Sequence, residues 1–142
     1  MVVAVDFDGT VVTHMYPEIG EPIPGAFPVL KALKKAGHKI FLWTMRGYPA
    51  YGGRDTLTEA VDFCRKRGLE FDGVNESPIP PFSTSKKQYA HIYIDDAACC
   101  VPVTKEGYLD WQKILVDLTS KGFFTRQEVS ELITSEEWFL GR

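Results

Sequence analysis

The sequence predicts an α/β fold in which a mostly parallel sheet is the middle layer of a three-layer sandwich. Short apolar runs of strand-forming residues alternate with segments whose apolar residues recur at helical spacing. The runs are apolar throughout rather than at every second position, which is typical of strands covered on both faces. A chain of 142 residues suits one hydrophobic core, so we expect a single domain over residues 1–142.

Four segments have the composition of strands, and the third of them is the weakest. They are residues 2–5, 40–43, 69–74 and 92–94. Loops rich in glycine, proline or serine follow the second and third strands, over residues 45–54 and 75–85. The carboxyl ends of parallel strands share one edge of the sheet, which is where α/β proteins bind ligands.

Four helices are predicted from apolar stripes and from residues that favour helix ends. The first contains Phe27, Leu30 and Leu33 and stops at Gly37, the second runs from Asp55 or Thr56 to Gly68, and the last two cover residues 109–121 and 125–138. Thr56 with Glu59, and Thr125 with Glu128, have the spacing of capping boxes. The last two helices form a C-terminal extension, about residues 104–142, that we expect to cover the sheet.

Composition and charge exclude several classes of protein. The chain is 44% hydrophobic and 25% charged, as in ordinary soluble globular proteins. A net charge of -3 gives no general attraction for nucleic acid or anionic membranes, so an anionic substrate must be held locally. No membrane span or export signal is evident, and the three cysteines lack C-x-x-C spacing. These features predict a cytoplasmic protein without disulfides or a zinc site.

The first strand leads into two carboxylates, in the stretch Asp6-Phe7-Asp8-Gly9-Thr10. Side chains two apart on an extended strand project to one side, and Gly9 allows a sharp turn after them. Neighbouring anions raise each other's proton affinity, so the pair implies a bound cation or a shared proton. Magnesium is the natural cation, because it takes oxygen ligands and serves phosphate chemistry. The alternative is an Asp-Gly turn without a metal.

Further polar residues lie at or just before the ends of later strands. They are Thr44, the adjacent Lys86 and Lys87, and the adjacent Asp95 and Asp96. Their recurrence in order favours one shared site over unrelated turn residues and solvated surface charges.

These motifs resemble those of the haloacid dehalogenase superfamily of phosphohydrolases. The resemblance covers about residues 1–103 and consists of Asp6-Phe7-Asp8-Gly9-Thr10, the strand ending at Thr44, a lysine, and Tyr93-Ile94-Asp95-Asp96. It implies a Rossmann-like fold, Mg²⁺ as cofactor, a phosphorylated substrate and a covalent aspartyl phosphate. Because neither position where the superfamily inserts a cap domain has a long insertion, the resemblance is to a capless member with an open site. Such a site would admit small or large substrates, unless a second copy of the chain covers it.

The resemblance also implies roles for individual residues. Asp6 would be the nucleophile and Asp8 the general acid and base. Thr44 would donate a hydrogen bond to a phosphoryl oxygen, and a lysine would neutralise charge on the transferring group. Lys87 is preferred to Lys86 because of its spacing to the acidic pair.

Two further sets of residues complete the expected site. The magnesium ligands would be Asp6, Asp8 through its backbone carbonyl, Asp95, and Asp96 as a further or alternative ligand. The predicted substrate-binding residues are Gly9, Thr10, Arg46 and Lys86, with Arg46 gripping the non-reacting part of an anionic substrate. Without a cap, water would be excluded by a flap that contains His14, Met15 and Tyr16, or by the loop from Tyr48 to Tyr51.

The sequence therefore predicts a magnesium-dependent phosphomonoester hydrolase. The alternatives are a nucleotide-specific phosphatase or a phosphotransferase of the same superfamily, and a receiver-like domain that binds phosphate and metal without turnover. A receiver carries its phosphoacceptor on a later strand, which favours the enzyme.

Overall fold

The computed structural model describes residues 1–49 and 53–141. In chain order, the elements are β1 (Val2–Val5), α1 (Ala26–Lys35), β2 (Lys39–Leu42), α2 (Thr56–Lys66), β3 (Gly73–Val74), β4 (Ile92–Ile94), α3 (Trp111–Ser120), α4 (Arg126–Ile133) and α5 (Glu136–Leu140). The strands form one parallel sheet in the order β3-β2-β1-β4. The predicted α/β, Rossmann-like architecture is confirmed.

The two faces of the sheet are covered differently. On β1, Val3 and Val5 enter the main core with apolar residues of α1 to α4, whereas Val2 and Ala4 enter a smaller cluster with Phe41 of β2. The crossovers through α1 and α2 advance in one direction along the sheet, so both helices lie on one face. The connection from β3 to β4 runs back past β2 and β1, and a right-handed path takes it across the other face. Residues 75–91 therefore form the third layer.

The predicted bounds of β1 and β4 match the structure, whereas β3 is shorter than predicted. Leu69 is buried, but its N–H donates to the carbonyl of Cys64 in α2, a hydrogen bond that belongs to the end of a helix. Strand pairing starts only at Gly73, opposite Phe41. The apolar character of Leu69 thus reflects packing of a helix end and not a strand.

The N-terminus of α2 resolves the two capping alternatives. Asp55 is the N-cap, and its carboxylate accepts a hydrogen bond from the backbone N–H of Thr58. The predicted capping box from Thr56 to Glu59 is wrong, since Thr56 is the first helical residue and the Glu59 carboxylate accepts from Arg54. Asp competes well for the N-cap because its carboxylate also complements the helix dipole.

The segment predicted as one helix over residues 125–138 is two helices, α4 and α5. The capping box of Thr125 and Glu128 at the start of α4 is confirmed. The helix then breaks at Thr134, and the Ser135 side chain accepts from the N–H of Trp138 as the N-cap of α5. Both hydroxyls satisfy nearby backbone groups, which is how Ser and Thr compete with a continuous helix.

Two further observations concern the chain as a whole. None of the helices in the two described ranges is both long and apolar enough to cross a membrane. The cysteines are free thiols, with Cys64 buried and Cys99 and Cys100 exposed. The expectation of unpaired cysteines is confirmed.

Candidate functional site

Three carboxylates converge beyond the carboxyl ends of β1 and β4. One oxygen from each of Asp6, Asp95 and Asp96 lies within 4.8 Å of the other two. Sheet register accounts for this, because Val5 pairs with Ile94, so Asp6 and Asp95 follow the two strands at the same level. The Asp6 N–H also donates to the Ile94 carbonyl at 3.0 Å. The structure thus brings together three of the four predicted metal ligands.

Asp6 is held in surroundings that disfavour its negative charge. Burial raises the pKa of its carboxyl to about 7, and the charge of Asp95 and a hydrogen bond with Asp96 act in the same direction. Hydrogen bonds from the Phe7 backbone and the Thr10 hydroxyl oppose this and lower the pKa. A cation among the three carboxylates would supply the missing positive charge, and carboxylate oxygens are the ligands that Mg²⁺ prefers. The donor set therefore fits this metal.

The carboxylate of Asp8 lies outside this cluster and faces a buried arginine. Nε and Nη2 of Arg46 donate to its two oxygens at 2.7 and 2.8 Å. The other N–H groups of Arg46 donate to the backbone carbonyls of Pro17, Glu18 and Thr56. All five donors of the guanidinium are therefore used, and the residue is only 2% exposed. The prediction that Arg46 grips the substrate is wrong; it fixes Asp8, the flap and α2 relative to one another.

Thr10 and Gly9 shape the turn that follows β1. The Thr10 hydroxyl lies 3.1 Å from an Asp6 oxygen and 3.3 Å from an Asp96 oxygen, and it accepts from the Asp96 N–H at 3.0 Å. Because Thr10 is fully buried, the prediction that it binds substrate is wrong, and it orients the carboxylates instead. Gly9 has φ of 83°, and a Cβ there would lie 2.4 Å from an Asp96 oxygen. Only glycine allows this approach.

Thr44 occupies its predicted place beyond β2, in a loop held by Asn75. The Thr44 N–H donates to Asn75 Oδ1 at 2.8 Å, and Asn75 Nδ2 donates to the Arg46 carbonyl at 3.2 Å. The Thr44 hydroxyl accepts from the Arg46 N–H, which leaves its own proton to be donated elsewhere. Asn75 was not predicted as a site residue. The signal for it in the sequence is its place directly after a predicted strand. In the structure its φ is 52°, a conformation that Asn tolerates better than most residues.

The two lysines are both exposed, and Lys87 contacts Tyr93 of β4. Its Nζ lies 5.4 Å from the centroid of the Tyr93 ring, and Tyr93 lines a groove together with Asp6 and Asp95. Within the described ranges, neither lysine forms an ion pair with a carboxylate.

The C-terminal helices also reach the site. Trp111 is buried, and its indole N–H donates to the Thr10 carbonyl at 2.9 Å. It is the first residue of α3, which begins two residues later than predicted because Asp110 is its N-cap. Trp111 also leaves no room for a side chain at Gly25, where a Cβ would lie 2.9 Å from that of Trp111. A partner 101 positions away leaves no local signal in the sequence.

The loops predicted to exclude water lie at the surface. His14 Nε2 is 3.9 Å from an Asp96 oxygen, and Met15 and Tyr16 are both more than half exposed. Tyr48 is exposed as well, and Tyr51 lies outside the described residues. The flap therefore adjoins the acidic cluster on one side.

The fold and the site define an α/β protein with an acidic cluster at the carboxyl edge of a parallel sheet. No protein-family model and no curated protein matches the chain. A solved structure does match: the conserved protein coded by locus from Bacteroides thetaiotaomicron is 37% identical, with 91% of this chain and 96% of that chain covered and a TM-score of 0.67. The chain belongs to the same family as that protein.

Proposed function

We propose that the protein is a magnesium-dependent phosphomonoester hydrolase that acts through an aspartyl phosphate on Asp6. The observation that carries the proposal is the convergence of Asp6, Asp95 and Asp96 at the carboxyl edge of the sheet. Ligand sites of α/β proteins lie at this edge, and the order of the motifs resembles the haloacid dehalogenase superfamily.

The three carboxylates of the cluster would hold the metal, and the resemblance adds the backbone carbonyl of Asp8. Mg²⁺ held there would neutralise charge on the phosphoryl group and on the attacking carboxylate. Lys87 would add a positive charge beside the same group, and its contact with Tyr93 supports it over Lys86. The Thr44 hydroxyl would donate to a phosphoryl oxygen.

The chemistry of the protein residues is a double displacement. An oxygen of Asp6 attacks phosphorus, the bond from phosphorus to the leaving oxygen breaks, and Asp8 gives that oxygen a proton. Water then attacks the phosphoryl group on Asp6, Asp8 takes a proton from it, and phosphate leaves. The Thr10 hydroxyl helps to hold the attacking carboxylate in place.

The pairing with Arg46 sets a condition on this mechanism. Both oxygens of Asp8 accept hydrogen bonds from Arg46, and a proton on Asp8 would weaken this pairing because it removes the negative charge that Arg46 faces. The same guanidinium binds the flap carbonyls of Pro17 and Glu18. A shift of the flap would therefore alter the position of Asp8.

The proposed setting is the reducing cytoplasm, which suits the exposed free thiols of Cys99 and Cys100.

The direct test is phosphate release from an aryl phosphate with Mg²⁺ or with a chelator. We expect activity to require Mg²⁺ and to fall by several orders of magnitude in Asp6→Asn, because an amide is a poor nucleophile. Asp117→Asn, on the exposed side of α3, is the matched control and should keep its activity. When the reaction is stopped with acid, a phosphorylated protein chain should be recovered from the wild type and not from Asp6→Asn. Full activity in Asp6→Asn would refute the mechanism.

A further inference from the structure

A groove of about 230 Å³ adjoins the acidic cluster on the face of the sheet opposite the helices. Asp6 and Asp95 form its polar end, and its remaining lining is apolar. That lining consists of Ala4, Trp43, Tyr93, Ile94, Ala97 and Ala98. Three larger depressions, of about 420, 450 and 500 Å³, lie elsewhere on the described part of the chain and include no member of the acidic cluster.

Sheet register places the two aromatic residues on either side of the groove. Ala4 on the central strand pairs with Phe41 of β2 and with Tyr93 of β4. Trp43 follows Phe41 by two residues, and the two rings make an edge contact at 6.2 Å. Tyr93 thus lies beside Ala4 and Trp43 lies beside Asp6, so the two aromatic residues are diagonal to each other across the central strand, on strands two spacings apart, about 10 Å.

The aromatic residues are exposed because the third layer is thin. Trp43 is 36% exposed and Tyr93 is 37% exposed, although both lie at the sheet. Ile79 and Ala90, from the segment 75–91, cover Val2, Ala4 and Phe41 and leave the region nearer the acidic cluster open.

Tyr93 is also fixed in place before any ligand binds. Its hydroxyl donates to the Gln88 carbonyl and accepts from the Ala90 N–H. Such a rigid wall loses little conformational entropy when a ring packs against it. Nζ of Lys87 lies 5.4 Å from the centroid of the same ring, so a positive charge is close to this wall of the groove.

We propose that this groove binds the organic part of the substrate, and that the preferred substrates are phosphomonoesters of compounds with a planar ring, such as nucleoside monophosphates. The inference rests on the proposed hydrolase function. The phosphoryl group would lie at the acidic cluster and beside Lys87, and the ring would pack against Trp43 and Tyr93. Indole and phenol faces bind flat rings by stacking, and the arrangement of charge matches a ligand that is anionic at one end and flat at the other.

A matched pair of substrates isolates the ring. Adenosine 5′-monophosphate and ribose 5-phosphate are both phosphate esters of a primary alcohol. They differ in that only the nucleotide carries a base. We expect kcat/KM to be higher for the nucleotide by about 5- to 150-fold, the range of stacking onto aromatic side chains. Trp43→Leu keeps an apolar side chain and removes the aromatic face, so this ratio should fall towards one. Tyr108→Leu replaces an aromatic residue of similar exposure outside the groove and should keep the ratio.

Binding is measured separately from turnover with the Asp6→Asn protein. Calorimetric titration with Mg²⁺ present should give tighter binding of the nucleotide than of ribose 5-phosphate by a similar factor, and adding Trp43→Leu should remove the difference. Nucleotide binding that depends on Trp43, in a protein that hydrolyses no phosphomonoester, would refute the hydrolase and support the groove as a ligand site.

Two results would overturn the groove inference and leave the hydrolase proposal intact. One is equal binding and turnover of the two compounds by wild type. The other is a Trp43→Leu variant whose preference is unchanged; if sedimentation then shows an altered oligomeric state, the exposed face is a contact between copies of the chain.

Discussion

Replacing Asp6 by asparagine should stabilise the metal-free protein above neutral pH, although it removes the proposed nucleophile. The pKa of this carboxyl is raised from 3.8 to about 7 in the folded protein, chiefly by burial. Between those values the folded chain binds a proton that the unfolded chain does not. The free energy of unfolding of the metal-free protein must therefore decrease as pH rises from about 4 to about 7. Asparagine has no charge to bury, so the variant lacks this decrease.

The size of the effect follows from the change in pKa. The pKa rises by about three, and each pKa unit corresponds to about 1.4 kcal/mol. The free energy of unfolding can therefore change by at most about 4 kcal/mol. Asp6 is only partly buried and water screens its charge, so we expect about 2 kcal/mol between pH 4 and pH 8. Mg²⁺ should reverse the ranking, because it stabilises the folded state of a protein that binds it and asparagine is a weaker ligand.

The assay is urea unfolding in the presence of a chelator or of Mg²⁺. Unfolding is monitored by tryptophan fluorescence, and buried Trp111 is a suitable reporter. At pH 4 the wild type and Asp6→Asn should have similar stability, and at pH 8 in chelator the variant should be the more stable. Asp117→Asn, which alters an exposed ion pair on α3, should follow the wild type within about 0.5 kcal/mol. Parallel pH profiles for wild type and Asp6→Asn would refute the reasoning about burial.

Three further substitutions test the supports of the site. Arg46→Lys should lower the free energy of unfolding by about 3 kcal/mol in urea titrations, because an ammonium cannot serve all five acceptors that surround the buried guanidinium; an unchanged midpoint would contradict the pairing. Gly9→Ala and Gly37→Ala both strain a left-handed residue, by about 1 kcal/mol, but only Gly9 lies against Asp96. We therefore expect Mg²⁺ affinity, measured by calorimetry, to fall about tenfold or more in Gly9→Ala alone. Trp111→Phe leaves the Thr10 carbonyl without its indole partner and should cost about 1–2 kcal/mol in thermal or urea unfolding, whereas equal stability would show that water replaces the bond.

Sequence reasoning predicted best what depends on local pattern. The strands at residues 2–5 and 92–94 are short apolar runs with polar residues after them, and the structure has the same bounds. The acidic cluster could be predicted because parallel strands bring their carboxyl ends to one edge, so Asp6 and Asp95 had to lie close together.

The errors concern residues whose surroundings come from distant parts of the chain. Arg46 lies in a loop rich in glycine, and nothing local indicates that Asp8 and three carbonyls enclose it. Thr10 was expected to face a ligand, but α3 and the acidic cluster bury it. In each case a polar side chain in a loop was interpreted as exposed, whereas hydrogen bonds across the fold make its burial favourable.

The hydrogen bond from Trp111 to Thr10 affects how this chain can be divided. All the recognisable motifs lie within residues 1–103, yet the carbonyl at the centre of the first motif is bonded by a residue beyond them. A shortened chain that ended at residue 103 would keep every carboxylate of the cluster and lose the partner that fixes the turn holding them. The smallest unit able to form the site therefore extends at least to α3, and sequence comparisons limited to the motifs would overlook part of what forms it.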